Sequence, residues 1–344
     1  MKFKSGKAPG GLFDYQERKA ALCQKATPLD RLNARVDWEL FRPELEGHLD
    51  DQCGVQGGGT PWCPGLMFKI LVLQKYFALS EEQTEFQILD RFSFQRFLGL
   101  DVGDGVPDQN SIWTFKERLG GKGLRGCFDL FDEVLRATGL LASKGKIVDA
   151  SFVAVPRQRN TREENAQIKA SRTPEGWQEN PDQLAQKDVA ARWAIKHQER
   201  HYGYKNPIKC NAQSKLIERY TVTDASVHDS QPLVELLDPK EGRLQADSAY
   251  RSRKIDAELC RRGLQNCLHE KGHRNHPLNE PQKATNTRKS RIRARVEHLF
   301  GFQVQQMRAN WIRTIGKIRA EPGIGLGNLV YNLFRYVQLG GSMV

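Results

Sequence analysis

The sequence predicts an α/β protein: an all-helical stretch of about 140 residues followed by a unit in which strands alternate with helices. Two observations predict it. Before Gly139, apolar residues recur at helical spacing in one segment after another, separated by polar, Gly- or Pro-containing turns. From Gly145 onward, short β-branched and aromatic runs alternate with helical stretches in the order strand, strand, strand, helix, strand, helix, strand, helix. A chain of 344 residues with 39% hydrophobic content is long and apolar enough for two or three domains with real cores.

Each element has its own signal. Residues 1 to about 25 are Lys- and Gly-rich and are expected to be loosely ordered. Thr27 before Pro28 is a candidate cap for a helix carrying Leu29, Leu32, Val36 and Leu40. After the Gly- and Pro-rich DQCGVQGGGTPWCPG, the run LMFKILVLQKYFAL predicts an apolar helix too short to cross a bilayer. Ser80 with Gln83 makes a capping box, and Phe86, Leu89, Phe92, Phe97 and Leu98 are expected to form one core-facing stripe behind it. Ser111 is a candidate cap for SIWTFKERL, and a further helix ends at Gly139. A helix, turn and helix carrying Trp113, Lys116 and Arg118 would suit a helix-turn-helix, although paired helices mostly just pack.

Residues from about 157 to 200 are polar, lack periodicity and read as an insertion or mobile loop. Strands are expected around residues 145–156, 208–211 and 219–223, at LQAD and at LQNCLHEK. The C-terminal GLGNLVYNLFRYVQL places Leu329, Leu333, Tyr336 and Val337 on one face to close the core.

Fifty-three Lys plus Arg against forty-one Asp plus Glu give a formal charge of +12, which suits a nucleic-acid partner. Seven cysteines without a C-x-x-C pair argue against a disulfide scaffold, and the spacings of Cys53 with Cys63 and of Cys260 with Cys267, His269 and His273 disfavour zinc. With no apolar leader and no membrane-length run, the expected location is cytoplasmic. Neither a Walker A loop nor a G-x-G-x-x-G fingerprint is present, which disfavours a nucleotide-driven small-molecule enzyme.

Three carboxylates stand in unusual contexts. Asp149 lies inside the strand-like GKIVDASFVAVP, where its charge would be desolvated without a cation or donors. Asp247 ends the short strand of GRLQADSAYRS, just before Tyr250 and Arg251. Glu297 sits on SRIRARVEHLF, read as one helix from Ser290 to Phe300, with Arg293 one turn before it and Arg288, Lys289, Arg291 and Arg295 nearby. Alone, each acid reads as a turn, cap or paired charge. Together they point to a shared site.

The stretches RIRARVEHLF, ADSAYRS, IVDASFV and TVTDASVHDSQ, with RFSFQRFLGLD and VPDQNSIWTFKERL in the helical part, resemble bacterial insertion-sequence DDE transposases of the insertion sequence five family. The likeness covers most of residues 28 to 340. It implies an RNase H-like mixed five-stranded sheet flanked by helices, with the fourth strand beside the first, so that Asp149, Asp247 and Glu297 converge as catalytic metal ligands. The family's helix pattern has Tyr and Lys where this chain has Ser290 and Val304, and Arg308 is one turn beyond Val304.

Phosphodiester attack builds negative charge on phosphoryl oxygens, and oxygen ligands suit two Mg²⁺ or Mn²⁺ ions. The implied function is cleavage of the ends of the protein's own element and joining of the 3′-hydroxyls to target DNA, by a homo-oligomer assembled on DNA. A nuclease without strand transfer and a non-catalytic DNA-binding derivative are the alternatives. Arg293 and His228 are expected to support the acids. Lys205, Tyr250, Arg251, Arg288, Lys289, Arg291 and Arg295 are expected to contact DNA, as part of a catalytic unit spanning 141–344 behind a DNA-binding unit spanning 1–140.

Overall fold

Helices α1 (Asp14–Cys23), α2 (Pro28–Arg35), α3 (Arg42–Asp50), α4 (Pro64–Phe77), α5 (Glu81–Asp90), α6 (Phe92–Leu98) and α7 (Gln109–Ala137) precede the first strand, with one 3₁₀ turn at Trp38–Phe41. They belong to a computed structural model that describes residues 11–50, 60–142, 145–196, 198–239, 242–272 and 276–340. Cys53, His273 and the glycines of GVQGGG lie outside the described residues.

The capping signals hold locally. Thr27 accepts from the Asp30 amide in a capping box that starts α2, and Ser80 with Gln83 starts α5. At α7 the cap is Asp108, whose carboxylate accepts from Ser111 N at 2.7 Å, so Ser111 lies inside the helix rather than before it. Residues 14–23, expected to be loose, form α1. The expected single stripe across α5 and α6 is broken, because Arg91 between them is extended (φ −109°, ψ 113°) and resets the helical phase. Thr84, Ile88, Phe94, Phe97 and Leu98 are buried, whereas Phe86 and Leu89 face solvent.

The second part builds one mixed sheet. Its strands are β1 (Gly145–Ala154), β2 (Arg192–Lys196), β3 (Glu199–Asn211), β4 (Ile217–Tyr220), β5 (Thr223–Asp224), β6 (Arg243–Gln245) and β7 (Gln265–Asn266). The order is β2-β3-β1-β6-β7, with β4 and β5 also on β3. The expected five strands therefore become seven through β2 and β5. Between β1 and β2 lie α8 (Arg162–Lys169), α9 (Glu175–Gln178) and α10 (Pro181–Ala185), so the polar stretch is not a structureless loop. Buried Asp188 organises it by accepting hydrogen bonds from the Tyr204 hydroxyl and from the amides of Ala190, Ala191 and Gly316. Periodicity analysis does not register such an anchor.

Helices α11 (Leu233–Leu236) and α12 (Arg253–Arg261) pack a smaller cluster of Val148, Leu244, Tyr250, Leu259 and Leu268 on one side of the sheet. Helices α13 (Glu280–Arg293), α14 (Arg295–Met307) and α15 (Lys317–Gln338) complete the chain. The stretch expected as one helix from 290 to 300 is divided at Ala294 (ψ −15°), where Glu297 N bonds to Ala294 O in a tightened i→i+3 turn. The polar α13 runs past the strand ends, and α14 turns Val296, Leu299 and Met307 inward.

One continuous core joins the helical part to the sheet. Leu32, Phe41, Phe68 and Phe131 share it with Ile147, Ile208, Leu299 and the α15 residues Leu329, Leu333 and Tyr336. Under β1 and β3 runs a chain of charges, buried at Lys146, Lys209 and Glu218 and reaching the surface at Asp238 and Arg219. Lys146 bonds Glu218, Lys209 lies 3.9 Å from Glu218 and 2.7 Å from Asp238, and Arg219 holds Asp238 at 2.7 Å. These pairs tie three strands together, and opposite charges inside a low-dielectric interior are tolerated only when paired.

Candidate active site

The strand register sets the geometry of the first two acids. β1 pairs β6 in parallel, with Ile147 opposite Gln245. Two residues further along each chain come Asp149 and Asp247, so the pairing leads both acids to the same level of the sheet. Asp149 is largely buried; its Oδ1 accepts from Ala150 N at 2.9 Å and its Oδ2 from Arg293 Nη1 at 3.0 Å. Burial pushes its pKa above the usual carboxylate range, against the pull of the Ala150 amide and of Arg293 and Lys196. Asp247 is 48% exposed and accepts from Ser248 N at 2.6 Å.

The third acid arrives through Arg293. Its Nη1 holds Asp149 and its Nη2 lies 3.7 Å from Glu297, while Nε is buried without a partner. The helical spacing that stacks Arg293 over Glu297 survives the turn at Ala294. Glu297 itself is 65% exposed. Three contacts fix the helices: Asn286 exchanges two hydrogen bonds with the Glu270 backbone, Lys289 donates to Leu268 O at 2.6 Å, and Arg295 donates to Ala212 O at 2.7 Å.

Two further groups surround the acids. His269 follows β7, with Nδ1 3.7 Å from Asp247 Oδ1 and Nε2 3.5 Å from Ser290 Oγ. Burial lowers its pKa, which favours the neutral ring. Asp229 accepts from Lys205 Nζ at 2.7 Å, and its negative charge helps to raise the pKa values of Asp149 and Tyr250. Spacing offered no signal for His269 near Asp247, since 22 positions and a helix separate them in the chain.

Several of the residues expected to contact DNA are engaged within the protein. Lys205 is buried, bonded to Asp229 and Val227 O, because an ammonium inside the sheet needs a carboxylate and a carbonyl in place of water. Tyr250 is 1% exposed, its hydroxyl lacks a partner, and burial raises its pKa well above the ordinary value. Arg251 pairs with Glu270 at 2.8 Å, and Lys289 is half-buried on Leu268 O. Arg288, Arg291 and Arg295 remain exposed on the helix surface. His228 faces solvent and bonds Ser230 Oγ at 2.7 Å, so its neighbour Asp229 is the group near the acids. Val304 is 39% exposed.

Among the described residues no three His, Cys, Asp or Glu side chains form a group poised to hold a metal ion. The guanidinium of Arg293 stands between Asp149 and Glu297, while Asp149 and Asp247 each also accept from a backbone amide. The chemistry of the donors still suits a hard divalent cation. All three acids offer oxygen, and burial leaves Asp149 short of compensating positive charge even with Arg293 beside it.

Asp149 on the first strand thus stands level with Asp247 across a parallel pairing and is linked through Arg293 to Glu297 on a flanking helix. Residues 142–333 match the model of the transposase DDE domain, and residues 16–118 match that of a transposase domain, DUF772. The first match alone spans more than half of the sequence, and the chain belongs to the DDE transposases. A solved structure of a piggyBac transposase synaptic complex with hairpin DNA is similar over 94% of this chain and 78% of that one, with 12% identity and a TM-score of 0.45. That likeness is too distant to transfer a residue's role. Among the described residues no helix is long and apolar enough to cross a membrane.

Proposed function

We propose that this transposase cleaves the ends of its own insertion sequence and joins the freed 3′-hydroxyls to target DNA, with Asp149, Asp247 and Glu297 as catalytic metal ligands. The observation that carries the reading is the β1/β6 register, which leads Asp149 and Asp247 to one level while Arg293 links Asp149 to Glu297. We read the sheet as RNase H-like, the chain as a member of the insertion sequence five family, residues 1–140 as the DNA-recognition unit and 141–344 as the catalytic one. The protein would work as a homo-oligomer on DNA in the cytoplasm.

Two Mg²⁺ or Mn²⁺ ions held by these carboxylates would supply Lewis-acid stabilisation of charge on the phosphoryl oxygens. The chain's own groups do the positioning. Asp149 is fixed by the Ala150 amide and Asp247 by the Ser248 amide, so both acids are oriented before substrate arrives. Arg293 keeps the carboxylates from repelling one another, and His269 braces Asp247 from the side away from solvent. Exposed Arg288, Arg291 and Arg295 offer charge to the phosphate backbone.

The test is nicking of a labelled element end in Mg²⁺. Asp149→Asn, Asp247→Asn and Glu297→Gln are each expected to abolish cleavage while retaining end binding. Cleavage near the wild-type rate in any of the three removes that residue from the site. Strand-transfer products from the wild type separate this reading from simple hydrolysis.

A further inference from the structure

A cavity of about 670 Å³ lies between α4, α7 and the segment that joins α14 to α15, at the far end of β1 from its Asp149 face. Trp311 marks the spot: it bridges to Ala154, and the flanking Asn310 O and Ile312 N bond the Ala154 backbone. The lining is cationic. Lys116 is paired with Glu81, and Arg319 with Glu117 at 3.1 Å. That leaves the side chains of Lys75, Arg308 and Arg313 on the wall with no hydrogen bond or ion pair among the described residues.

Lys75 is the telling group. It projects from the mostly apolar α4, and burial together with the charge of Lys116 pushes its pKa down to about 8. An ammonium so placed lacks the carboxylate that the buried lysines of the sheet possess: Lys146 has Glu218, Lys205 has Asp229 and Lys209 has Asp238. Thr314 Oγ1 on the same wall is buried and also without a partner. At Gly120, α7 leaves helical geometry (φ 53°, ψ −164°), so a helical segment restarts at Gly121 with its positive end on the cavity.

We propose that this cavity is a phosphate-binding site, separate from the carboxylate centre, in which Lys75, Arg308, Arg313 and Thr314 receive the oxygens of a phosphate group. Apolar Leu124, Met307 and Leu326 leave the rest of the chamber suited to the uncharged body of the same ligand. In a DNA transposase the first source of that group is a DNA strand. The phosphate chemistry itself does not depend on the assignment of the acids.

The test uses the full chain, a fluorescent ten-nucleotide single strand and, separately, inorganic pyrophosphate, titrated at low salt at pH 7 and pH 9. With its pKa pushed down to about 8, Lys75 is mostly charged at pH 7 and mostly neutral at pH 9, so binding of either probe is expected to weaken between them. Lys75→Met should bind roughly tenfold more weakly at pH 7 and lose most of that pH dependence. Arg308→Ala with Arg313→Ala alters only exposed side chains, and it decides the matter should Lys75→Met fail to fold. Binding of the strand identifies DNA as the source, and binding of pyrophosphate alone identifies a free phosphate compound. Unchanged affinity for both probes in the double variant overturns the site. Asp149→Asn, measured alongside, should bind both probes as the wild type does. A cleaving Asp149→Asn would therefore refute the carboxylate assignment and leave the phosphate site standing.

Discussion

Replacing Asp149 by asparagine separates the stability of this site from its chemistry. The carboxylate is buried, bonded by one amide and one guanidinium, and its pKa is raised by desolvation. A raised folded-state value means that the native protein holds this proton more tightly than the unfolded chain. Stability from this group is therefore greatest below the unfolded value near 4 and is lost as pH rises through the folded value. At pH 7 the ionised acid is a net burden, and asparagine keeps an acceptor for Arg293 without the charge. Asp149→Asn in ion-free buffer is expected to melt no lower than the wild type.

Divalent ions reverse the order. An ion present at a hundred times its dissociation constant stabilises the state that binds it by about 2.7 kcal/mol. For a chain of 344 residues the unfolding entropy is about 0.7 kcal/mol/K, so each kcal/mol moves the melting temperature by roughly 1.4 °C and saturating Mg²⁺ should raise the wild-type midpoint by about 4 °C. The variant should respond far less, because one of its three carboxylates is gone. Differential scanning fluorimetry with and without Mg²⁺ at pH 7 reads both quantities. An equal Mg²⁺ shift in wild type and variant would refute the role given to Asp149, and a variant that melts well below the wild type without metal would refute the account of its burial.

Glu218→Gln removes the carboxylate that Lys146 and Lys209 share beneath β1 and β3, and equilibrium denaturation should show a loss of about 3–5 kcal/mol with little change in DNA specificity. Arg288→Ala with Arg291→Ala should weaken end binding equally for all sequences. It should also flatten the plot of log affinity against log salt by about 0.9 for each phosphate no longer neutralised; an unchanged slope marks these arginines as a solvated face.

The sequence by itself determined the local setting of the three candidate acids and much of the order of the elements. Asp149 within a strand, Asp247 at a strand end and Glu297 one turn after Arg293 are local statements, because alternation, capping and helical spacing are properties of neighbours in the chain. The caps at Thr27 and Ser80 and the apolar face of α15 were legible for the same reason. Partners across the fold were not. Lys205 and Tyr250 look like surface groups in the sequence, yet β3 and the turn after β6 carry them inside, where one needs Asp229 and the other leaves its hydroxyl without a partner. The insertion became ordered through Asp188, whose hydrogen-bond donors come from residues 190, 191, 204 and 316. His269 reached Asp247 through the pairing of β6 with β7, and Lys75 came to share a cavity with Arg308 and Arg313 when α4 met the segment between α14 and α15. Burial and pairing of charges depend on how remote segments meet, and only the tertiary structure decides that.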